Sequence, residues 1–263
     1  MKIKLTLLLC LFFSFFLMVY MLFEASFLLT VTKINLNFSS FHSKLKILHI
    51  TDLHFGSTPP TIYPIVLSKV KSIKPDIIVI TGDLVSTNFS IPQAIEFVNS
   101  LSEIAPTFIV FGNWDHWVGL NVKDFNEKIK ILLNSNTFIP KNESKICIIG
   151  VDDPYSGYDN LEEAILNLNN CSIKILLAHS PQIVGKAAGK VDLILAGHTH
   201  GGQICLPGFG ALWVPLPNEY KNFVYGLFKV NSTYMFVSRG IGTRLLPLRF
   251  FSSPEIVLIE INE

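Results

Sequence analysis

The sequence predicts an α/β domain with a substantially parallel sheet, preceded by a membrane-spanning helix. Three observations lead there. Residues Leu5 to Phe23 are nineteen consecutive uncharged residues; strand-like apolar runs alternate with helix-period segments from Lys46 to Ala196; and polar clusters follow several of those runs directly.

Nineteen residues at about 1.5 Å each come close to spanning a hydrocarbon layer of about 30 Å. No small-x-small cleavage pattern follows at Phe23-Glu24-Ala25, so residues 1–24 are expected to be an uncleaved single-pass anchor rather than a signal peptide. Lys2, Lys4 and the amino terminus lie on one side of residues 5–23, with Glu24 and Lys33 on the other. That bias places the main domain outside the cytoplasm. Residues 25–44, mixed in Ser, Thr, Asn and Lys, are expected to form a stalk with one strand, and the globular domain to occupy residues 45–263.

Within the domain, Lys46–Thr51 reads as a strand ending at Asp52, and residues 62–73 as a helix with Ile62, Val66, Leu67, Val70 and Ile73 on one face. Asp76–Thr81 is a buried-type strand before Gly82-Asp83. Pro92 opens a helix running to about Ile104. Thr107–Phe111 is a third strand, before Gly112-Asn113. A helix at 123–134, short strands at Thr137–Ile139 and Ile146–Gly150, and a helix at 160–168 follow. Ile173–Leu177 leads to His179, and Val191–Ala196 to Gly197-His198. Beyond Gly201, the runs Ala211–Pro215, Phe223–Val230, Thr233–Arg239 and Glu255–Ile261 lack helical period. They predict antiparallel strands of a second sheet packed on the first.

A net charge of +1 over 263 residues gives no reason to expect nucleic acid as a partner. Cys10, Cys147, Cys171 and Cys205 form no CxxC pair and predict neither a disulfide framework nor a thiolate metal site.

The polar clusters are Asp52-Leu53-His54, Gly82-Asp83, Gly112-Asn113-Trp114-Asp115-His116, Ala178-His179-Ser180 and Gly197-His198-Thr199-His200. Open α/β sheets bind ligands beyond the carboxyl ends of their strands, where all five fall. In an extended strand end Asp52 and His54 project to one side, and carboxylate with imidazole suits Mn, Fe or Zn. Asp83 is placed to bridge two ions, and Asn113 and His179 add neutral ligands. The seven ligands, one of them shared, give four per ion and leave open positions, as in a catalytic site.

This ordered pattern resembles the calcineurin-like metallophosphoesterases over about residues 45–202. The resemblance extends to a membrane-anchored subgroup similar to YkuE and YaeI, through Gly197–Gln203, Leu206-Pro207-Gly208 to Pro215, Ser238–Gly242 and Pro247–Phe250. It implies a four-layer α/β/β/α sandwich. One divalent ion would be held by Asp52, His54, Asp83 and His200, the other by Asp83, Asn113, His179 and His198, with Mn favoured over Zn or Fe. The implied reaction is hydrolysis of a phosphoester or pyrophosphate by a hydroxide bridging the two ions. Arg239, Arg244 and Arg249 are candidates to bind the phosphate.

One position departs from the family pattern. The histidine that normally follows the Asn, and that positions phosphate or protonates the leaving group, is Trp114 here. His116, two places on, is the candidate replacement, with Asp115 or solvent as alternatives. The anchor at residues 5–23 makes a lipid-linked phosphorylated substrate the expected one, a small phosphorylated molecule the other. Two further readings are a UDP-2,3-diacylglucosamine hydrolase, which needs a cytoplasmic site, and a non-catalytic metal-binding module.

Overall fold

The computed structural model describes residues 2–262; the amino terminus and the Lys2 side chain, part of the orientation argument, lie outside it. The first helix, α1 (Lys2–Phe27), exposes Leu, Phe and Met side chains from Leu5 to Phe23. It is long and apolar enough to cross a membrane. Its last turn behaves differently. Glu24, Ala25 and Ser26 are buried in the domain. The Glu24 carboxylate accepts from Phe251 N (3.1 Å), Ser252 N (3.0 Å) and Ser253 Oγ (2.9 Å). Arg249 N donates to Met21 O at 3.1 Å. The helix therefore joins the domain through a hydrogen-bonded seam.

The segment expected as a stalk belongs to the domain instead. β1 (Thr30–Asn37) lies parallel to β14 (Glu255–Asn262), with Ile34 and Leu36 turned inward, and Phe41 is fully buried. Its partner is over 200 residues away in sequence, so nothing local marks the pairing.

The first sheet has six strands in the order β1-β14-β2-β3-β4-β5, adding β2 (Leu45–Ile50), β3 (Ile77–Thr81), β4 (Thr107–Val110) and β5 (Ile129–Ile131). β2 to β5 run parallel, and β14 is antiparallel to β2. The helices α2 (Ile62–Ile73) and α3 (Ile91–Ser102) cover its outer face with Val66, Val70, Phe97 and Leu101. Both match the helix-period reading. The helix expected at 123–134 does not form: Asn121 caps a single 3-10 turn at Val122–Asp124, and the chain then joins the sheet edge as β5. Before that, α4 (Asn113–Val118) makes a short connection.

The second sheet, β12-β13-β9-β8-β7-β6, is built largely from residues the sequence reading assigned to the first. It comprises β6 (Ser135–Lys141), β7 (Ser144–Gly150), β8 (Ile173–Leu177), β9 (Leu193–Ala196), β12 (Gly226–Val230) and β13 (Thr233–Val237). β7, β8, β9 and β13 are parallel, and β6 and β12 are antiparallel edges. The short helices α5 (Leu161–Ala164) and α6 (Val184–Ala187) pack on its outer face, α5 in place of the longer helix expected at 160–168. A two-residue hairpin, β10 (Cys205–Leu206) with β11 (Gly210–Ala211), is all that forms of the expected 211–215 strand.

Between the sheets lies a mainly apolar layer, in which Ile47, Val79 and Val110 face Ile148, Ile175 and Leu195, with the buried His49–Thr81 hydrogen bond toward its ligand end. The architecture is therefore the four-layer α/β/β/α sandwich. One further expectation fails, because Cys147 and Cys171 form a disulfide. Cys171 closes the loop before β8, which pairs with β7, so sheet pairing brings together two cysteines 24 residues apart.

Candidate metal centre

The carboxyl ends of β2, β3, β4, β8 and β9 converge on one rim, and each hands the chain to a loop carrying ligands. The local backbone is unusual. Asp52, His54, Asp83, His198 and His200, five of the seven expected ligands, have positive φ between 49° and 71°. Non-glycine residues rarely adopt this conformation, and it persists only where surroundings over-determine it. Here they do. Asp52 N donates to Gly82 O at 3.0 Å, His54 N to Asp83 O at 2.9 Å, and His198 N to both Asp52 carboxylate oxygens. Asp52 and His54 thus share a side because of these left-handed turns beyond β2, not because of an extended pleat.

Asp115 fixes the central loop. Its Oδ2 accepts from Asp83 N (2.8 Å) and Gly112 N (2.9 Å), and its Oδ1 from Leu84 N (2.8 Å). With its oxygens engaged in this clamp, Asp115 is a positioning residue rather than a proton donor. Close approach also dictates two glycines: a Cβ at Gly112 would collide with Asp83 Oδ1, and one at Gly197 with Thr51 Oγ1 and Asp52 Oδ2.

Two buried triads result, Asp52-His54-His200 and Asp83-His179-His198, each with its ligand atoms within 4.8 Å of one another. Asp83 links them, its Oδ2 lying 3.4 Å from His54 Nε2 and 3.2 Å from His179 Nε2. Across the triads' interiors His54 Nε2 faces His200 Nε2 at 3.2 Å, and His198 Nδ1 faces His179 Nε2 at 3.0 Å.

The outer nitrogens set the tautomers. His179 Nδ1 donates to Thr81 O (2.8 Å), His200 Nδ1 to Gly242 O (3.3 Å) and His198 Nε2 to Pro215 O (3.0 Å), while His54 Nδ1 meets Ser86 Oγ at 2.8 Å. In the neutral rings of His179, His198 and His200 the inward nitrogen is then a free lone pair, the arrangement usual for metal-bound imidazoles. Burial holds His54 down at about 4 and His198 at about 3, so both are neutral ligands at pH 7. At His179 burial acts the same way, but the Asp83 and Asp52 carboxylates outweigh it and raise its pKa, as expected beside charges that attract cations. Asn113 Oδ1 is buried with no hydrogen-bond partner, an orphaned acceptor that a cation satisfies. Donor types, tautomers and orphaned oxygen fit two divalent ions, as the sequence reading expected.

A cavity of about 300 Å³ opens over this centre, lined by Asp83, Asn113, His198, Trp114, Tyr155 and Arg244 among others. Of the three candidate arginines only Arg244 is on it, its guanidinium stacked 4.1 Å from the Trp213 ring centroid. Arg239 pairs with the buried Glu255 at 2.9 Å. Arg249 is fully buried and donates to the carbonyls of Gly242, Ser252, Arg239 and Gly240, so it rivets backbone and reaches no substrate. His116 is not on the cavity wall either. Its Nε2 bonds Asp152 Oδ1 at 2.6 Å, which raises its pKa, and its ring packs on Phe111 and Tyr158. Trp114 occupies the wall, its backbone N donating to Asp83 Oδ1 at 2.9 Å and its ring edge-on to His54.

Tyr155 and Trp213 were not anticipated from sequence. Tyr155, on the loop after β7, packs its ring 4.5 Å from that of His198, and Trp213 follows β11; neither position carries a local sequence signal.

A buried two-ion centre with open positions, at the strand ends of a four-layer sandwich, defines a dinuclear metal hydrolase. Residues 45–202 match the calcineurin-like phosphoesterase family, and the chain belongs to it. It is 31% identical over 234 residues to an uncharacterized metallophosphoesterase of Aquifex aeolicus, covering 84% of this chain and 86% of the relative. It is 31% identical over 229 residues to the uncharacterized metallophosphoesterase YkuE of Bacillus subtilis (82% and 79%). The phosphodiesterase YaeI of Escherichia coli is 32% identical over 231 residues, with 82% of each chain covered. Among solved structures, TT1561 of Thermus thermophilus shares the fold with a TM-score of 0.51 at 12% identity, over 76% of this chain and 91% of that one. The protein is a metal-dependent phosphoester hydrolase.

Proposed function

We propose that this chain is a membrane-anchored phosphodiesterase or pyrophosphatase that works on a lipid-linked substrate, with manganese as the native metal, on the extracytoplasmic side. The observation that carries the reaction type is the pair of triads joined by Asp83 beneath a cavity lined by Arg244. Two divalent ions bound there would supply Lewis-acid clamping of the phosphoryl oxygens and an activated water. The chain's own residues do the rest. Arg244, held over the Trp213 ring, offers guanidinium donors to a remaining phosphate oxygen. Trp114 and Trp213 place apolar rings on the wall of the centre, which lowers its polarity and strengthens charge interactions inside it. The similarity to YaeI, named as a phosphodiesterase, supports a diester over a monoester.

Anchoring is supported by the exposed apolar length of α1, and the side of the membrane by the Cys147–Cys171 disulfide. Disulfides persist in oxidising compartments, which agrees with the positive residues preceding the helix. The same bond argues against a cytoplasmic UDP-2,3-diacylglucosamine hydrolase.

The test is the full chain in lipid nanodiscs, chelator-stripped and reloaded with Mn²⁺, assayed on an aryl phosphodiester. Turnover is expected. Asp83→Ala should lose at least one of the two ions and about 10²-fold or more in kcat. Two bound ions with no turnover on monoester, diester or pyrophosphate would leave only the non-catalytic reading.

A further inference from the structure

A second cavity, of about 340 Å³, adjoins the metal centre and is nearly all apolar. Its walls include Ile204, Leu212, Leu246 and Leu248, together with Met21 from α1. Trp213, Arg244 and Leu245 line both cavities, so the two share a wall, and His200 lines the apolar one directly. The seam between α1 and the domain fixes this geometry: Arg249 N holds Met21 O, and Glu24 is buried under residues 251–253. Met21 falls at the domain end of the apolar run Leu5–Phe23. Leu212, Leu245 and Leu246 on its wall are each at least 60% exposed, as is Phe209 in the adjoining β10–β11 turn. A soluble surface seldom clusters large apolar groups this way.

We propose that this cavity receives one alkyl chain of a lipid phosphoester, so that α1 is a wall of the substrate site as well as an anchor. The inference rests on the phosphoesterase reading above and adds the position of the lipid chain. Arg244 then stands at the junction, its guanidinium toward the phosphate and its stem beside the first methylenes. The volume suits about ten methylenes, taking each as near the 30 Å³ share of a liquid water. The exposed leucines and Phe209 enter the headgroup layer, and a lipid can slide in along α1 without crossing water.

Two measurements decide it, both on the full chain in phosphatidylcholine nanodiscs. The first compares kcat/KM for methyl and octyl 4-nitrophenyl phosphate, in wild type and in Leu246→Gln, a substitution at an exposed side chain. Burying methylenes favours the octyl ester by up to about fourfold per CH₂. The octyl-to-methyl ratio should therefore exceed about tenfold in wild type, and Leu246→Gln should cut it several-fold while both proteins share the same bilayer partitioning. Equal ratios in the two proteins would overturn the proposal. The second measurement uses an alkyl phosphate carrying a terminal diazirine. Crosslinks on residues 203–213 and 244–248 are expected, and labelling confined to the outer part of α1 would overturn the inference. If neither ester turns over, the diesterase reading fails, and the crosslinks still decide whether a chain enters the cavity.

Discussion

Trp114→His restores the family's usual residue at the one position where the centre departs from the pattern. The backbone there is already placed: Trp114 N is held by Asp83 Oδ1 at 2.9 Å, and the ring it carries lies 5.6 Å from that of His54. An imidazole on this backbone points into the same cavity, over the two triads. General acid catalysis is worth about 10²–10⁴-fold when the donor is well placed. The shorter side chain and a backbone set by tryptophan argue for the low end, about 10²-fold or about 2.7 kcal/mol of barrier. Losing the tilted Trp114–Trp117 pair, with centroids at 5.4 Å, costs stability of about 1 kcal/mol. The assay is a series of aryl and alkyl phosphodiesters of rising leaving-group pKa, with the Mn²⁺-loaded protein and metal content measured alongside. The gain should be confined to poor leaving groups and vanish for 4-nitrophenol. A uniform gain, or none with both ions bound, would refute the assignment of this position to proton transfer.

Other outcomes follow from the same geometry. His116→Ala should lower activity equally for good and poor leaving groups, because His116 is tied to Asp152 away from the cavity wall. Its stabilising effect should also depend on pH. The folded pKa lies above the unfolded value of about 6.5, so the ion pair contributes fully below that pH and fades as pH rises through the folded value. Thermal melts of wild type and His116→Gln should converge at alkaline pH. Arg249→Met removes the donor that the Ser252 and Arg239 carbonyls rely on and thins the bonding at Gly240 and Gly242, and should destabilise by about 2 kcal/mol or more in denaturant titration. Cys147→Ser with Cys171→Ser opens a 24-residue loop and should lose about 3 kcal/mol, with the metal stoichiometry unchanged.

The ligands were legible because each follows a β-strand of buried residues, so a polar side chain just past Ile50, Thr81 or Ala196 stands out against its run. The helices α2 and α3 were legible for the same reason, from one-sided apolar spacing. Partner choice was not. β6 to β9 read like a continuation of β2 to β4, and only the packing of Ile148 and Ile175 against Ile47 and Val79 shows that they form a separate sheet. β1 and the disulfide depend on pairings of the same non-local kind. Arg249 and Arg244 look alike in sequence, and their difference lies in surroundings: carbonyls on every side for one, a tryptophan face and a cavity for the other. The segment at 123–134 shows the limit of periodicity, since its apolar residues serve a sheet edge.

The left-handed loops at Asp52, His54, Asp83, His198 and His200 bear on how the enzyme is supplied with metal. Their conformations are specified by peptide hydrogen bonds and by the Asp115 clamp, all made within the chain. Part of the ligands' placement is thus set by the polypeptide itself, whereas in a zinc finger the metal sets it. Breaking one of those bonds should therefore weaken ion binding without removing a ligand.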